Sequence, residues 1–460
     1  HMEQEHRSEN PLGVLPVPVL LKKFAVPSII AMLTGALYNI VDQFFIGNSV
    51  GELGNAATNI AFPLSIACIS IALLFGIGGA SAFNLAKGRR NEEEAVYCMG
   101  NAISGMIAFG CILFLVTQIF LEPMIRFFGA PESIMDYAKT YLRITSCGFP
   151  VLILTAGGGH LIRADGSPGM SMICNVTGAI VNTILDALFV FGFGWGIAGA
   201  AWATIIGQYI SVILVIRYLR HCKTVDLQIW HLRPKAMYMK EIGALGAASC
   251  SNQLAMMLVQ LVMNKSLTYY GGLSSYGQEI PLACAGIITK VNQVFFSIII
   301  GISQGLQPIV SYNYGAEKYE RVKTGYLLAA KTGLVISVIA FFIFQIFPEQ
   351  IIMIFGNGSE EYIHFAVSYF RIFLFFTFLN FIQPITSNSL TAIGKPGQGI
   401  FLSLTRQILF LLPLIVVLPL FMGIDGILFA GPVADGLAGI VALFLMYREL
   451  KRPEYQETIF

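Results

Sequence analysis

The sequence predicts an all-α integral membrane protein, with twelve transmembrane helices in two pseudo-twofold-related six-helix bundles around a central cleft. Three observations predict it: the length of the apolar runs, the one-sided distribution of lysine and arginine, and short motifs repeated at a constant offset.

Apolar residues fill 56% of the 460 positions and charged residues only 12%, about half the charge of an ordinary soluble domain. Such a chain cannot cover itself with polar surface, so lipid is the expected solvent. Crossing a bilayer as a helix takes about 20 apolar residues. Runs long enough occur at 27–47, 56–86, 95–121, 137–162, 170–193, 197–219, 241–270, 281–313, 323–346, 362–392, 398–421 and 426–449. Several exceed a straight crossing and are expected to tilt or bend. Pro27, Pro63, Pro150, Pro308, Pro384, Pro413 and Pro419 supply the bends, since each removes a backbone donor. The first run is long enough to stay as a spanning helix, so no cleaved leader is expected.

The termini and even-numbered loops hold twenty Lys and Arg, among them Lys22, Lys23, Lys87, Arg89, Arg90 and the basic stretch 217–240. The odd-numbered loops hold one, Arg126. The positive-inside rule then gives a multi-pass protein of the cell (inner or plasma) membrane with both termini cytoplasmic. The expected organisation is a cytoplasmic segment 1–26, a first lobe 27–220, a cytoplasmic linker 221–240, a second lobe 241–450 and a cytoplasmic tail 451–460.

The lobes are read from a repeat. Gly-Arg-Arg-Asn-Glu-Glu-Glu-Ala at 88–95 is echoed by Gly-Ala-Glu-Lys-Tyr-Glu-Arg-Val at 315–322, and Phe128-Gly129 by Phe355-Gly356, both 227 positions on. Tyr141-Leu142-Arg143-Ile144 returns as Tyr369-Phe370-Arg371-Ile372, and Gly166-Ser167-Pro168-Gly169 as Gly394-Lys395-Pro396-Gly397, at 228. Gly196-Ile197-Ala198-Gly199 returns as Gly423-Ile424-Asp425-Gly426 at 227. Five matches in order at one offset are a duplication. Each half has an even number of spans, so the copies run in parallel about an axis along the membrane normal.

Other classes are excluded by what is missing. The net charge is +2 and no long basic run invites nucleic acid. Six scattered histidines form no HExxH, and eight cysteines form no CxxC, so the cysteines are expected to be small packing residues. No GxxxxGK[ST] loop appears, which argues against a primary pump. No catalytic constellation or cofactor motif marks an enzyme.

An ionisable side chain inside the bilayer costs at least about 2.5–3.5 kcal/mol and is a functional candidate by default. The apolar runs retain Asp42, Asp186 and Asp435. At roughly 1.5 Å rise per residue, Asp42 lies about 8 Å and Asp186 about 10 Å below the outer boundary, with Thr204 level with Asp186. Asn182 is one turn from Asp186 on the same face. Two carboxylates, an amide and a hydroxyl at one level suit a small hard cation such as Na⁺, or proton exchange between mutually repelling carboxylates. A hydrogen-bonded packing network is the plainer alternative. The second half carries Lys265 and Lys290 instead. Lys290, about 13 Å below the outer boundary and level with Asp435, is expected to pair with it. Arg143 and Arg371 at repeated positions are expected to snorkel.

These features together resemble the multidrug and toxic compound extrusion (MATE) family over roughly residues 20–450. The resemblance rests on Asp42-Gln43-Phe44-Phe45-Ile46-Gly47, the two Gly-Xaa-Pro-Gly elements, the spacing Asn182–Asp186–Thr204, and Pro27 fifteen residues before Asp42. It implies a Na⁺ or H⁺ coupling site at Asp42, Asn182, Asp186 and Thr204. It also implies a supporting pocket residue at Tyr141 on span 4, to which Tyr38 and Asn39 on span 1 are added, and a hinge at Pro27. The family's additional acids in spans 7 and 10 are absent here. The implied activity is export of amphipathic, often cationic small molecules by antiport, with no cofactor beyond the coupling ion, by a monomer in contact with lipid. The rival reading is a flippase for a lipid-linked or anionic precursor, with Lys265 and Lys290 as cleft cations.

Overall fold

The computed structural model describes residues 10–49, 52–128, 130, 132–277, 279–354 and 359–455. The Phe128-Gly129 and Phe355-Gly356 match falls partly outside them, as do Arg7 and the end of the 451–460 tail. Twelve helices among the described residues are long and apolar enough to cross a membrane. Spans 1 to 6 are Val17–Ile46, Ile60–Gly88, Glu92–Ile119, Ile134–Ala164, Pro168–Gly192 and Gly196–Arg220. Spans 7 to 12 are Ala236–Gly272, Ala283–Gly315, Tyr319–Ile346, Glu360–Leu379, Pro396–Met422 and Ile424–Leu450. All eight cysteines are free.

Span 1 begins at Val17, ten residues before its expected start. The helix passes through Lys22 and Lys23 because their charged ends stay exposed while Leu20, Leu21 and Phe24 on the other face are buried. Span 10 ends sooner than its apolar run. The helix Glu360–Phe373 gives way to a 3₁₀ turn at Thr377–Leu379 before Ile382–Ala392 resumes. Span 4 is interrupted in the same way, by the 3₁₀ turn Ser146–Gly148. The cause is local: Pro150 and Pro384 have no N–H to offer the carbonyls of Ser146 and Asn380 four residues back.

The duplication is written in the backbone. Arg90 and Glu317, 227 positions apart, are the two described non-glycine residues with positive φ, at 60° and 59°. Left-handed backbone is uncommon for side-chain-bearing residues, so the match is not accidental. Gly166 and Gly394, 228 apart, share φ of 96° and 84°, which glycine adopts without strain.

The two bundles meet through glycines. A side chain at Gly78 of span 2 would run into the carbonyl of Ile242 on span 7, and one at Gly246 into the carbonyl of Leu74. Gly305, the repeat mate of Gly78, lies against Ala25 of span 1, and Gly301 against Ile29. Gly88 and Gly315, the last residues of spans 2 and 8, abut the backbones of Tyr312 and Leu85. Small residues let apolar helices approach to backbone contact, where dispersion holds them without help from water.

These contacts favour one end of the molecule, the end with the basic segments. There Gln307 donates to Ser81 (3.2 Å) and the Ser311 hydroxyl to the Ser81 carbonyl (3.0 Å), joining spans 8 and 2. The short helix Pro11–Val14 docks on the same end: Arg321 donates to the carbonyls of Leu12 (3.0 Å) and Leu15 (2.5 Å), and Lys318 to that of Gly13 (2.9 Å). Each lobe also ends in a polar knot. Buried Asp165 accepts from Tyr218 (2.6 Å) and from the backbone of Lys223 (2.6 Å) and Thr224 (3.1 Å), tying down the linker. In the second lobe Glu449 holds Lys395 at 2.5 Å and accepts from Tyr455 at 3.1 Å.

Candidate functional site

Span 5 carries Ser171, Asn175, Gly178, Asn182 and Asp186 at helical spacing, so one face is polar along its length. Its far end brings Asn182 and Asp186, both buried, against spans 1 and 6. The α-helix stops at Asp186 and continues as the π-helical segment Ala187–Gly192. Such segments recur where a helix must re-aim a functional side chain. Tight packing makes the approach possible: a side chain at Gly207 of span 6 would meet the carbonyl of Gly178 and the Asn182 side chain.

The four residues read as a cation site come together. Asp42 and Asp186 lie close enough to interact directly, with Tyr38 beside Asp42 and Tyr141 within electrostatic range of both carboxylates. Asn182 donates its amide to the Tyr38 hydroxyl. Thr204 donates its hydroxyl proton to the carbonyl of Ala200, one turn away, at 3.0 Å.

The Thr204 proton is thus spent on its own helix and the Asn182 amide on Tyr38. Asp42 Oδ1, Asn182 Oδ1 and both carboxylate oxygens of Asp186 are buried and accept no hydrogen bond. Buried acceptors are nearly always satisfied, and four unmet ones in one pocket describe a place for protons or a hard cation. Among the described residues no three His, Cys, Asp or Glu side chains gather, so any cation here would also need the amide and hydroxyl oxygens. An apolar cluster lies one turn further on, toward the end away from the basic segments. Ile46, Val190 and Ala200 form a buried cluster, each one turn from Asp42, Asp186 and Thr204 respectively. The Phe45 and Phe191 rings pack edge-on beside it, 5.5 Å apart.

Of the other expected residues, Asn39 is exposed on span 1. The side chain of Gln43 in the same stretch lies outside the described ones. Pro27 lies inside an unbroken span 1, between Ala25 and Ile29, where that helix crosses span 8.

The second lobe corrects the sequence reading. Lys290 does not pair with Asp435. The partner is Arg406, whose Nε donates to Asp435 Oδ1. Lys290 is half-buried on span 8 and Lys265 exposed on span 7. Matching depth along two helices does not make them neighbours, and Asp435 faces span 11 inside its own bundle. Arg406 was missed because it is a single cation in the apolar run 398–421. Its signal was available: an arginine about 15 Å inside a span that begins at Pro396 must have a buried counter-charge.

The comparisons agree with this architecture. The Multidrug export protein MepA of Staphylococcus saprophyticus is 25% identical over 425 residues, 92% of each chain. That of Staphylococcus aureus strain MSSA476 is 24% identical over 433 residues, 94% of each. A solved outward-facing conformation of a multidrug resistance MATE family transporter of the MOP superfamily superposes with a TM-score of 0.89 at 21% identity, covering 96% of this chain and 98% of that one. A MOP superfamily transporter from Pyrococcus furiosus, described by its reverse polarity of binding pocket, also gives 0.89 at 21% identity, covering 96% and 97%. The MatE family model matches residues 27–188 and again 248–417, once in each half. The chain belongs to the MatE family of membrane transporters.

Proposed function

We propose that this transporter exports amphipathic, often cationic compounds in exchange for Na⁺ or H⁺, and that Asp42, Asn182, Asp186 and Thr204 carry the coupling ion. The observation that carries the reading is the set of four buried acceptor oxygens without donors, in a pocket where no described Lys or Arg is paired with them. The relatives named for multidrug export support the substrate class.

An ion or proton in the pocket neutralises the two carboxylates and draws spans 1, 5 and 6 together. Loss of that charge compensation favours the arrangement that binds a cationic substrate. Each ligand shifts the equilibrium by its differential affinity for the two arrangements. With the basic end cytoplasmic, as the lysine and arginine distribution implies, the glycine contacts at that end correspond to the state closed toward the cytoplasm. The lobes then rock about spans 1, 2, 7 and 8, with Pro27 at the crossing of spans 1 and 8 as a bending point.

The deciding experiment is transport by reconstituted protein with a pH gradient and a Na⁺ gradient imposed separately. One of the two should drive substrate uptake into inverted vesicles, and Asp42→Asn or Asp186→Asn should abolish it with expression intact. Full activity in both variants ends the proposal.

A further inference from the structure

The linker between the lobes is fastened to the first lobe at both ends. Buried Asp165 holds the backbone of Lys223 and Thr224, and Lys87 donates to the Thr224 carbonyl at 3.0 Å. Further on, Ser104 of span 3 donates to the Leu232 carbonyl and Asn101 to that of Arg233 at 3.3 Å. The Lys235 N–H in turn donates to Asn101 Oδ1 at 2.8 Å. A side chain at Gly100 would run into the His231 carbonyl.

These contacts set the depth of the 3₁₀ turn Ile229–Leu232. Span 3 opens with Glu92, Glu93 and Glu94, which belong in water. Counted from Ala95 at about 1.5 Å per residue, Gly100 lies about 8 Å and Ser104 about 14 Å along the apolar part of the helix. The turn therefore lies level with the beginning of the hydrocarbon layer. Its backbone closes on itself, as that depth demands. The His231 N–H donates to the Gln228 carbonyl (3.0 Å), the Gln228 N–H to His231 Nδ1 (2.9 Å) and the Arg233 N–H to the Trp230 carbonyl (3.2 Å).

What the turn leaves open is apolar and basic. Ile229 is 82% exposed, Trp230 59%, and Met237 in the first turn of span 7 68%. Arg233, Lys235 and Lys240 are exposed beside them, and none is in an ion pair among the described residues. Lys235 is spent on the Tyr97 ring, 4.0 Å from its centroid, which leaves Arg233 and Lys240. Large apolar side chains next to unpaired cations, at the rim of a membrane protein, match acyl chains beneath anionic headgroups.

We propose that the linker binds the cytoplasmic leaflet, with Ile229, Trp230 and Met237 entering the acyl region and Arg233 and Lys240 holding an anionic phospholipid headgroup. The linker is fixed to the first lobe and span 7 starts at Ala236, so the lipid is held at the joint between the lobes.

The test uses the full chain in nanodiscs with Trp195→Phe and Trp202→Phe, which leaves Trp230 as the one tryptophan. Phosphatidylcholine brominated on its acyl chains should quench the fluorescence strongly, and aqueous acrylamide weakly. Quenching by acrylamide with none by bromolipid places the linker in water and overturns the proposal. Brominated phosphatidylglycerol, as a minor component in unlabelled phosphatidylcholine, should quench more than brominated phosphatidylcholine at the same fraction. Arg233→Gln with Lys240→Gln should lower that preference toward parity, by up to about fivefold for each charge removed, and high salt should lower it too. Equal quenching by the two lipids in the parent, or a preference that the paired variant leaves unmoved, overturns the headgroup site. If the two phenylalanine substitutions prevent folding, the same lipids are compared in the parent chain as the quenching lost on Trp230→Phe.

Discussion

Asn182 donates its side-chain amide to the hydroxyl of Tyr38, which joins span 5 to span 1 one turn from Asp42. The bond also fixes the orientation of the amide. With its nitrogen engaged, the Asn182 carbonyl oxygen is left buried and without a donor.

Tyr38→Phe removes the acceptor and leaves the amide nitrogen of a buried residue unpaired. An unsatisfied buried group costs about 1–3 kcal/mol, and that cost falls on the arrangement in which spans 1 and 5 enclose the ion. The ion concentration for half-maximal efflux should rise about 5- to 150-fold, with the maximal rate less affected. An unchanged half-saturation point would show that the bond has no part in holding the pocket.

The frame and the first-lobe pocket were legible because they depend on quantities a sequence contains. Span count follows from run length, the lobes from a constant offset, and the pocket from Asn182 and Asp186 sharing a helical face. The second lobe was less legible because depth fixes only one coordinate. Lys290 and Asp435 lie level with one another, yet the side chain of Asp435 points into its bundle toward Arg406. Which helices neighbour one another is decided by glycines such as Gly246 and Gly305, whose role is visible only against the partner backbone. The breaks in spans 4 and 10 follow from Pro150 and Pro384. The helix start at Val17 was missed because two lysines interrupt the apolar run without interrupting the buried face.

Gly246→Ala tests the lobe interface directly. The added methyl would meet the backbone carbonyl of Leu74, which cannot rotate away as a side chain would. Overpacking of this kind costs about 1–3 kcal/mol. A methyl added at Gly35 in span 1 would have nothing within 4 Å, and alanine is favoured over glycine in a helix by about 1 kcal/mol. Thermal unfolding in detergent should therefore shift down for Gly246→Ala and stay level or rise for Gly35→Ala. Equal shifts would refute the glycine-contact account.

Cys222, just beyond span 6, reports on the linker knot. Burial first, and then the nearby carboxylate of Asp165, pushes its thiol up to about 12. Since the thiolate is the reactive form, a variant keeping Cys222 as its lone cysteine should resist maleimide at pH 7. Its labelling should quicken as pH rises toward that value. Asp165→Asn removes a negative charge that disfavours the thiolate and weakens the bonds to Lys223 and Thr224. The thiol's pKa should fall and labelling at pH 8 should accelerate. Equal rates with and without Asp165 would contradict the knot.

The layer of Ile46, Val190 and Ala200 is predicted to stop the coupling ion from passing straight through the first lobe. An antiporter that let its ion leave by a second route would dissipate the gradient without moving substrate. Apolar constrictions block ions by excluding the water that would accompany them. Val190 is buried one turn beyond Asp186, so Val190→Asn places a polar group in the barrier beside the carboxylate pocket. Lowering that barrier by about 1.4 kcal/mol would raise ion passage tenfold. Proteoliposomes carrying the variant should dissipate an imposed ion gradient faster with no substrate present and export less substrate per ion. Val190→Leu keeps the layer apolar and should stay tight. A leak in the leucine variant, or a tight asparagine variant, would assign the barrier to other residues.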